Sequence, residues 1–286
     1  MMTTSTRLLL PPVMLLGVLG CANMFAAPEG EQEDSPEAVE TSVPEGADAG
    51  VEGDESAQEP EAGPLDGVHI ALDPGHAGGI AADPQKAQTQ VDDGRGGWKD
   101  CQAVGASTNS GYTEHAFNWD VSQRLTELLE EDGAEVRLTR ENDEAFGPCV
   151  DERGQFPQEV GADVYVSIHA NGSDPSYSGY FAIVSDPPLN AAQGEPSLEV
   201  AEHLNEGLAQ EGFDESNLIP GGISQRSDIA GLNWAEVPAV MMELGEMRHA
   251  EESAVMETEE GRQRYADALH NGLLSWAETQ EEITEE

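Results

Sequence analysis

The sequence predicts an α/β fold: a mostly parallel, twisted sheet with helices on both faces, in a single globular domain. Three observations carry this. Apolar runs of strand length recur at 68–72, 164–168 and 237–245. Stretches with helical apolar spacing lie between and after them. Strands alternating with helices imply crossovers that cover both faces of a parallel sheet. No internal repeat interrupts this pattern.

The ends of the 286-residue chain read differently from its middle. Residues 1–20 hold one arginine, Arg7, and an apolar run Leu8–Leu19 broken by Pro11 and Pro12. The run is too short to span a bilayer and reads as a secretory signal. It ends in Val18-Leu19-Gly20-Cys21, a lipobox-like tetrapeptide that makes Cys21 the expected lipidation site, with Leu19 where a smaller residue is commoner; plain secretion with Cys21 removed or free is the other reading. The following acidic segment, 21–66, contains between 28 and 64 no Lys, Arg or aromatic residue. It cannot bury enough apolar surface to offset its ordering entropy and is expected to be a disordered tether, with a span of roughly 35 Å root-mean-square. The catalytic-size domain is placed at 67–278, with an acidic tail at 279–286.

Fifty-seven acidic residues stand against 12 Lys plus Arg, for a formal net charge of −45, and Lys86 and Lys99 are the lysines. Such a chain is not expected to bind nucleic acid or another polyanion; adaptation to high salt is a hypothesis for this balance. With Cys21 assigned to lipid, Cys101 and Cys149 remain as a pair in an exported domain. They lack zinc-site spacing and read as a disulfide pinning the loop after His76.

In chain order, Val68–Leu72 is a buried strand that Pro74-Gly75 ends, leaving His76 at its carboxyl end, the edge where α/β sheets gather ligands. A Gly-rich loop, 77–112, shows no periodicity. Phe117, Val121, Leu125, Leu128 and Leu129 then mark a helix that Thr113 can cap and Gly133 ends. Glu114 lies in its first turn on the sheet-facing side. Residues 134–140 alternate as a strand, and 149–160 suit a short helix. Val164–Ile168 is a second buried strand delivering a histidine, His169. Residues 179–185 read as a strand, 198–210 as a helix, 237–245 as an apolar strand interrupted by Glu243, and 253–276 as the last helix.

Parallel stacking brings His76, His169 and Glu243 to one edge, with Glu114 reaching it from a helix start. Two imidazoles and a carboxylate are a ligand set for catalytic zinc with an open fourth position. A second carboxylate there serves as general base and then acid. For Glu243 a structural pairing with Arg140 or Arg153 stands equally open, and for Glu114 a plain helix-dipole role. Of the other histidines, His69, His203, His249 and His270 read as bystanders, and so does His115, although it could replace Glu114 as a ligand. Asp73 reads first as a turn former and second as a ligand-orienting acceptor. Arg226, in an expected loop, reads as a surface ion pair before a substrate contact. The chain has no H-E-x-x-H, no G-x-S-x-G and no Gly-rich phosphate loop before a helix.

The stretches DPGHAGG (73–79), TNSGYTEHAF (108–117), TRENDEAFGPCVDERG (139–154), ADVYVSIHANG (162–172) and VPAVMMELGEM (237–247) resemble the zinc-dependent N-acetylmuramoyl-L-alanine amidases of the amidase-3 type, most of all their actinobacterial, mycobacterial version. The resemblance covers about residues 67–278. It implies Zn2+ held by His76, Glu114 and His169, Glu243 as the catalytic glutamate, and a Cys101–Cys149 disulfide. It departs at Gly245-Glu246-Met247-Arg248-His249, where relatives often carry Gly-Phe-Leu-Ser-Asn.

The implied activity is hydrolysis of the amide between the lactyl group of N-acetylmuramic acid and L-alanine of the peptidoglycan stem peptide. The expected protein is a monomer, lipid-anchored on the outer face of the cell membrane and facing the cell wall. Two other readings are a wall-binding lipoprotein with little or activator-dependent turnover, and a zinc carboxypeptidase acting on the stem peptide.

Overall fold

The computed structural model describes residues 62–285, with side chains through 280. The signal-like segment 1–20, Cys21 and nearly all of the 21–66 stretch lie outside the described residues. Among those described, no helix is long and apolar enough to cross a membrane.

The elements in order are β1 (His69–Pro74), α1 (Pro84–Ala87), β2 (Gln90–Asp92), β3 (Trp98–Asp100), α2 (Glu114–Glu131), β4 (Glu135–Leu138), α3 (Val150–Glu159), β5 (Val164–Asn171), β6 (Phe181–Ser185), α4 (Glu195–Gln210), β7 (Ile223–Arg226), α5 (Ala230–Trp234), β8 (Ala239–Glu246), α6 (Ala250–Met256) and α7 (Glu259–Glu285). Six strands form one sheet in the order β4-β1-β5-β8-β6-β7. β4, β1, β5 and β8 are parallel, whereas β6 pairs antiparallel with β8 and parallel with β7. The predicted mostly parallel sheet with helices on both faces is the fold observed.

The register divides labour between the faces. Successive strand residues point to opposite sides. Ile70, Leu72, Val164, Val166, Ile168, Val240 and Met242 therefore join one apolar core, packed with α2, α4 and α7. On α2 the contributing residues Phe117, Val121, Leu125 and Leu129 are all fully buried. Each such side chain contributes about 1.5–3 kcal/mol of transfer free energy, and truncating one to Ala costs about 2–5 kcal/mol. The opposite face is smaller: Ala71, Tyr165, Phe181, Ile183 and Ala239 pack under Leu232 of α5 and Phe156 of α3. Asp73, Ser167 and Met241 are aligned across that second face, as are His169, Glu243 and Phe181.

Several boundaries differ from the sequence reading. The 77–112 loop contains α1 and the β2–β3 hairpin, elements of three or four residues that are too short to show a period. The hairpin turn is built by Asp93, whose Oδ1 accepts the backbone N–H of Arg95 and Gly97, with Gly94 and Gly96 at positive φ. Arg226 lies on the edge strand β7 rather than in a loop. The expected helix 253–276 is two helices. Thr258 Oγ1 accepts the Gly261 N–H at 3.0 Å and starts α7, where any Cβ at Gly261 would meet Val255 O. α7 also runs through the acidic segment set apart at 279. Thr113 stands at the N-cap of α2 but its side chain makes no capping bond.

Cys149 is the N-cap of α3, its N–H bonded to Glu152 Oε2 at 2.7 Å. It is joined to Cys101 with Cα atoms 4.5 Å apart. The bond ties the end of the β2–β3 hairpin to the start of α3. Because it closes a 48-residue separation, reduction is expected to remove about 2–4 kcal/mol of stability. Thermal melts with and without a thiol reductant, alongside a Cys101→Ser/Cys149→Ser variant, measure this loss; coincident melts would show that the bond adds nothing.

Candidate active site

The site grows from the turn after β1. Gly75 donates its N–H to Ile168 O at 2.9 Å, and a Cβ there would lie 2.3 Å from the His169 ring. Only glycine lets the two strand ends approach this closely. His76 follows at φ 58°, in the left-handed region that costs a non-glycine residue about 1–3 kcal/mol. Surrounding groups hold it there. Pro74 O accepts from Arg140 Nε at 2.9 Å and Arg153 Nη1 at 3.0 Å, His76 O accepts from Arg153 Nη2 at 2.9 Å, and Gly75 O accepts from Asn118 Nδ2 at 3.2 Å.

Beneath the turn, Asp73 is buried. Its Oδ1 accepts from Arg153 and from Thr139, each at 2.5 Å; its Oδ2 accepts from Ser167 at 2.7 Å and from Tyr165 at 3.0 Å. Burial disfavours this carboxylate, but the Arg153 guanidinium and the hydroxyl donors outweigh burial and hold its pKa below the usual range. Asp73 is therefore the buried hub beneath the turn, a larger role than the turn formation its sequence position suggests.

Above the turn, three donors converge. His76 Nδ1 lies 2.7 Å from Ala103 O, which fixes the proton there and leaves Nε2 free to act as a ligand. Glu114 Oε1 stands 3.1 Å from His76 Nε2 and 3.0 Å from His169 Nδ1. The same carboxylate accepts the N–H of Ala106 at 2.6 Å through Oε2 and of Ala170 at 3.3 Å through Oε1, so backbone groups aim it. One ligand atom from each of His76, Glu114 and His169 lies within 4.8 Å of the others. Burial opposes ionisation of Glu114, yet the two imidazoles hold its carboxyl well below the ordinary value. Burial favours the neutral form of His169, and the nearby His76 works in the same direction. For His76 burial acts likewise, but Glu114 outweighs it and raises the pKa.

Glu243, on β8 beside His169, completes the edge. Its Oε2 is buried without a hydrogen-bond partner among the described residues. Burial, reinforced by the Glu114 carboxylate, raises its pKa well above the usual range. The structural pairing left open for it is not made: Arg153 pairs with Asp73 and Arg140 with Asp143. His115 turns away from the donors, its Nδ1 2.8 Å from Asp143 Oδ2. Arg226 makes the expected ion pair, with Asp228, at 2.8 and 2.7 Å.

Sequence reasoning missed the supporting set. The sequence offers Arg140 and Arg153 only as partners for Glu243, and it assigns no role to Asn118, Tyr165 or Ser167. Hydroxyls at the alternate positions Tyr165 and Ser167 of otherwise apolar β5 are the available signal.

Two imidazoles and a carboxylate converging beside a buried glutamate form the kind of centre found in metal-dependent hydrolases. The family model described as N-acetylmuramoyl-L-alanine amidase, Amidase_3, matches residues 70–275, and the chain belongs to this family. It is 44% identical over 215 residues to the N-acetylmuramoyl-L-alanine amidase Rv3717 of Mycobacterium tuberculosis, covering 75% of this chain and 88% of that protein. Among solved structures, it is similar to the N-acetylmuramyl-L-alanine amidase Ami1 of Mycobacterium smegmatis (TM-score 0.73, 42% identity, 76% of this chain and 99% of that one). Similarity to the apo Ami1 of Mycobacterium abscessus is comparable (TM-score 0.72, 40% identity, 74% and 99%).

The hub yields a stability prediction. Arg153→Met leaves Asp73 buried without its cation and is expected to cost about 3–5 kcal/mol, read from urea unfolding at neutral pH. Because the folded-state pKa of Asp73 is depressed, its contribution is present above the unfolded value of about 3.9 and is lost as pH falls below it. The variant should therefore lose less stability than the parent between pH 5 and 3 (on the order of one ionisation). Parallel losses would remove Asp73 as the hub.

Proposed function

We propose that this chain is a zinc-dependent peptidoglycan hydrolase that cleaves the amide between the lactyl group of N-acetylmuramic acid and L-alanine of the stem peptide. The observation that carries the reading is the convergence of His76, Glu114 and His169 with Glu243 on the neighbouring strand. The donor set fits the metal. His169 is favoured neutral, His76 presents Nε2 with its other nitrogen tied to a carbonyl, and Glu114 is kept ionised. Membership of the amidase family supplies the substrate class.

Zinc held by His76, Glu114 and His169 would supply Lewis acidity and lower the pKa of a water to about 7. Glu243 Oε2, with no competing partner, accepts the proton of the attacking water as its oxygen bonds to the lactyl carbonyl carbon. The same oxygen then returns the proton to the alanine nitrogen as the C–N bond breaks, so the stem peptide leaves as a neutral amine. The turn clamped by Arg140, Arg153 and Asn118 keeps His76 in place through the reaction. Lipidation at Cys21 and the acidic 21–66 stretch hold the domain at the outer membrane face, within reach of the wall.

Purified muropeptides are expected to release free stem peptide, detected by mass spectrometry, and a chelator should stop this until zinc is restored. Shortening within the peptide, with the muramyl amide intact, would instead indicate a carboxypeptidase. Glu243→Gln should keep the fold and bound zinc, measured by plasma emission, while losing about 10²–10⁴-fold in turnover. Full turnover in that variant would exclude Glu243 from the mechanism. Incorporation of labelled palmitate is expected in the parent and absent in Cys21→Ser; equal labelling would place the lipid elsewhere.

A further inference from the structure

A cavity of about 430 Å³ opens beside the donor set, on the less heavily covered face of the sheet. That volume lies in the range of about 300–1,000 Å³ typical of small-molecule sites. Its lining includes His76 and His169 and also Trp98 and Lys99 of the β2–β3 hairpin. A molecule filling it therefore touches both the reaction centre and the hairpin.

Two residues of the hairpin stand out beside the cavity. Trp98 is 69% exposed, a large apolar surface left beside the cavity. Lys99 is one of two lysines in a chain of net charge −45. Its ammonium donates to the Asp228 carbonyl. The carboxylate of that residue is farther off, with Oδ2 3.8 Å from Nζ, and is held at 2.7 Å by Arg226. Of the acids lining the cavity, Asp73 is paired with Arg153 and Asp100 accepts the neutral Gln90 amide. The hairpin acids Asp92 and Asp93 accept backbone N–H groups within their own turn. Lys99 is thus a cation on the cavity wall whose ion-pair partner, the Asp228 carboxylate, is shared with Arg226.

We propose that Lys99 binds a free carboxylate of the stem peptide beyond L-alanine, making the β2–β3 hairpin the wall that selects acidic over amidated peptides. This rests on the amidase reading above. The N-acetylated sugars are neutral while the muramyl amide is intact and give an ammonium nothing to pair with, whereas a stem peptide whose second residue is not amidated offers it a carboxylate. An ammonium–carboxylate bond in a partly enclosed site adds about tenfold in affinity.

The test is calorimetric binding of L-alanyl-D-glutamate and of its diamide to the zinc-loaded protein. The parent is expected to prefer the diacid by about tenfold. Lys99→Met should abolish the preference and Lys99→Arg should keep it. On muropeptides, Lys99→Met should raise KM for the acid form about tenfold, with kcat within about twofold and the amidated form unchanged. Equal binding of diacid and diamide by the parent, or a preference that survives Lys99→Met, would overturn the assignment. So would tighter binding of the glycan disaccharide than of the dipeptide in both proteins. A diacid preference without release of stem peptide from any muropeptide would sink the amidase reading and leave Lys99 as a carboxylate site. Release without the preference would do the reverse.

Discussion

The ion pair between Asp73 and Arg153 is the constraint on which the site depends. A buried carboxylate is tolerable only when its oxygens are satisfied, and here a guanidinium and three hydroxyls satisfy it. The same guanidinium binds the carbonyls of Pro74 and His76, so one side chain both neutralises the hub and holds the turn above it. Arg153 comes from α3, whose start is covalently tied to the hairpin through Cys149. Chain segments far apart in sequence are thereby locked around a histidine whose backbone conformation is unfavourable on its own.

The two faces of the sheet serve different ends. One carries a large apolar core under three helices and supplies most of the stability. The other is thinly covered, so Tyr165, Ser167, Asp73 and Glu243 can be polar there without disrupting the main core. Glu114 links the faces: it begins a helix packed on the large core, yet its carboxylate turns over the sheet edge to meet both imidazoles.

Much of this was legible in the sequence. Apolar strand runs ending in His76, His169 and near Glu243 defined the edge, because strands buried on both faces leave a clear signal. Glu114 was placed by helical spacing. What stayed hidden was whatever depends on side-chain reach across the fold. Arg140 and Arg153 were visible as candidate partners, but nothing local says that one pairs with Asp143 and the other with Asp73. The β2–β3 hairpin, β7 and α5 are too short for a period to emerge. The break before α7 depends on a single threonine cap and a close helix contact at Gly261.

The left-handed conformation of His76 has one more consequence. A sequence optimised only for folding would place glycine or asparagine at that position, since both tolerate it at little steric cost. The histidine ring is mostly buried against His169, and the turn beneath it is held by Arg140, Arg153 and Asn118 on its carbonyls. Foldability and usefulness pull in opposite directions at this one dihedral angle. The backbone itself therefore marks His76 as a position where the scaffold is strained to present an imidazole.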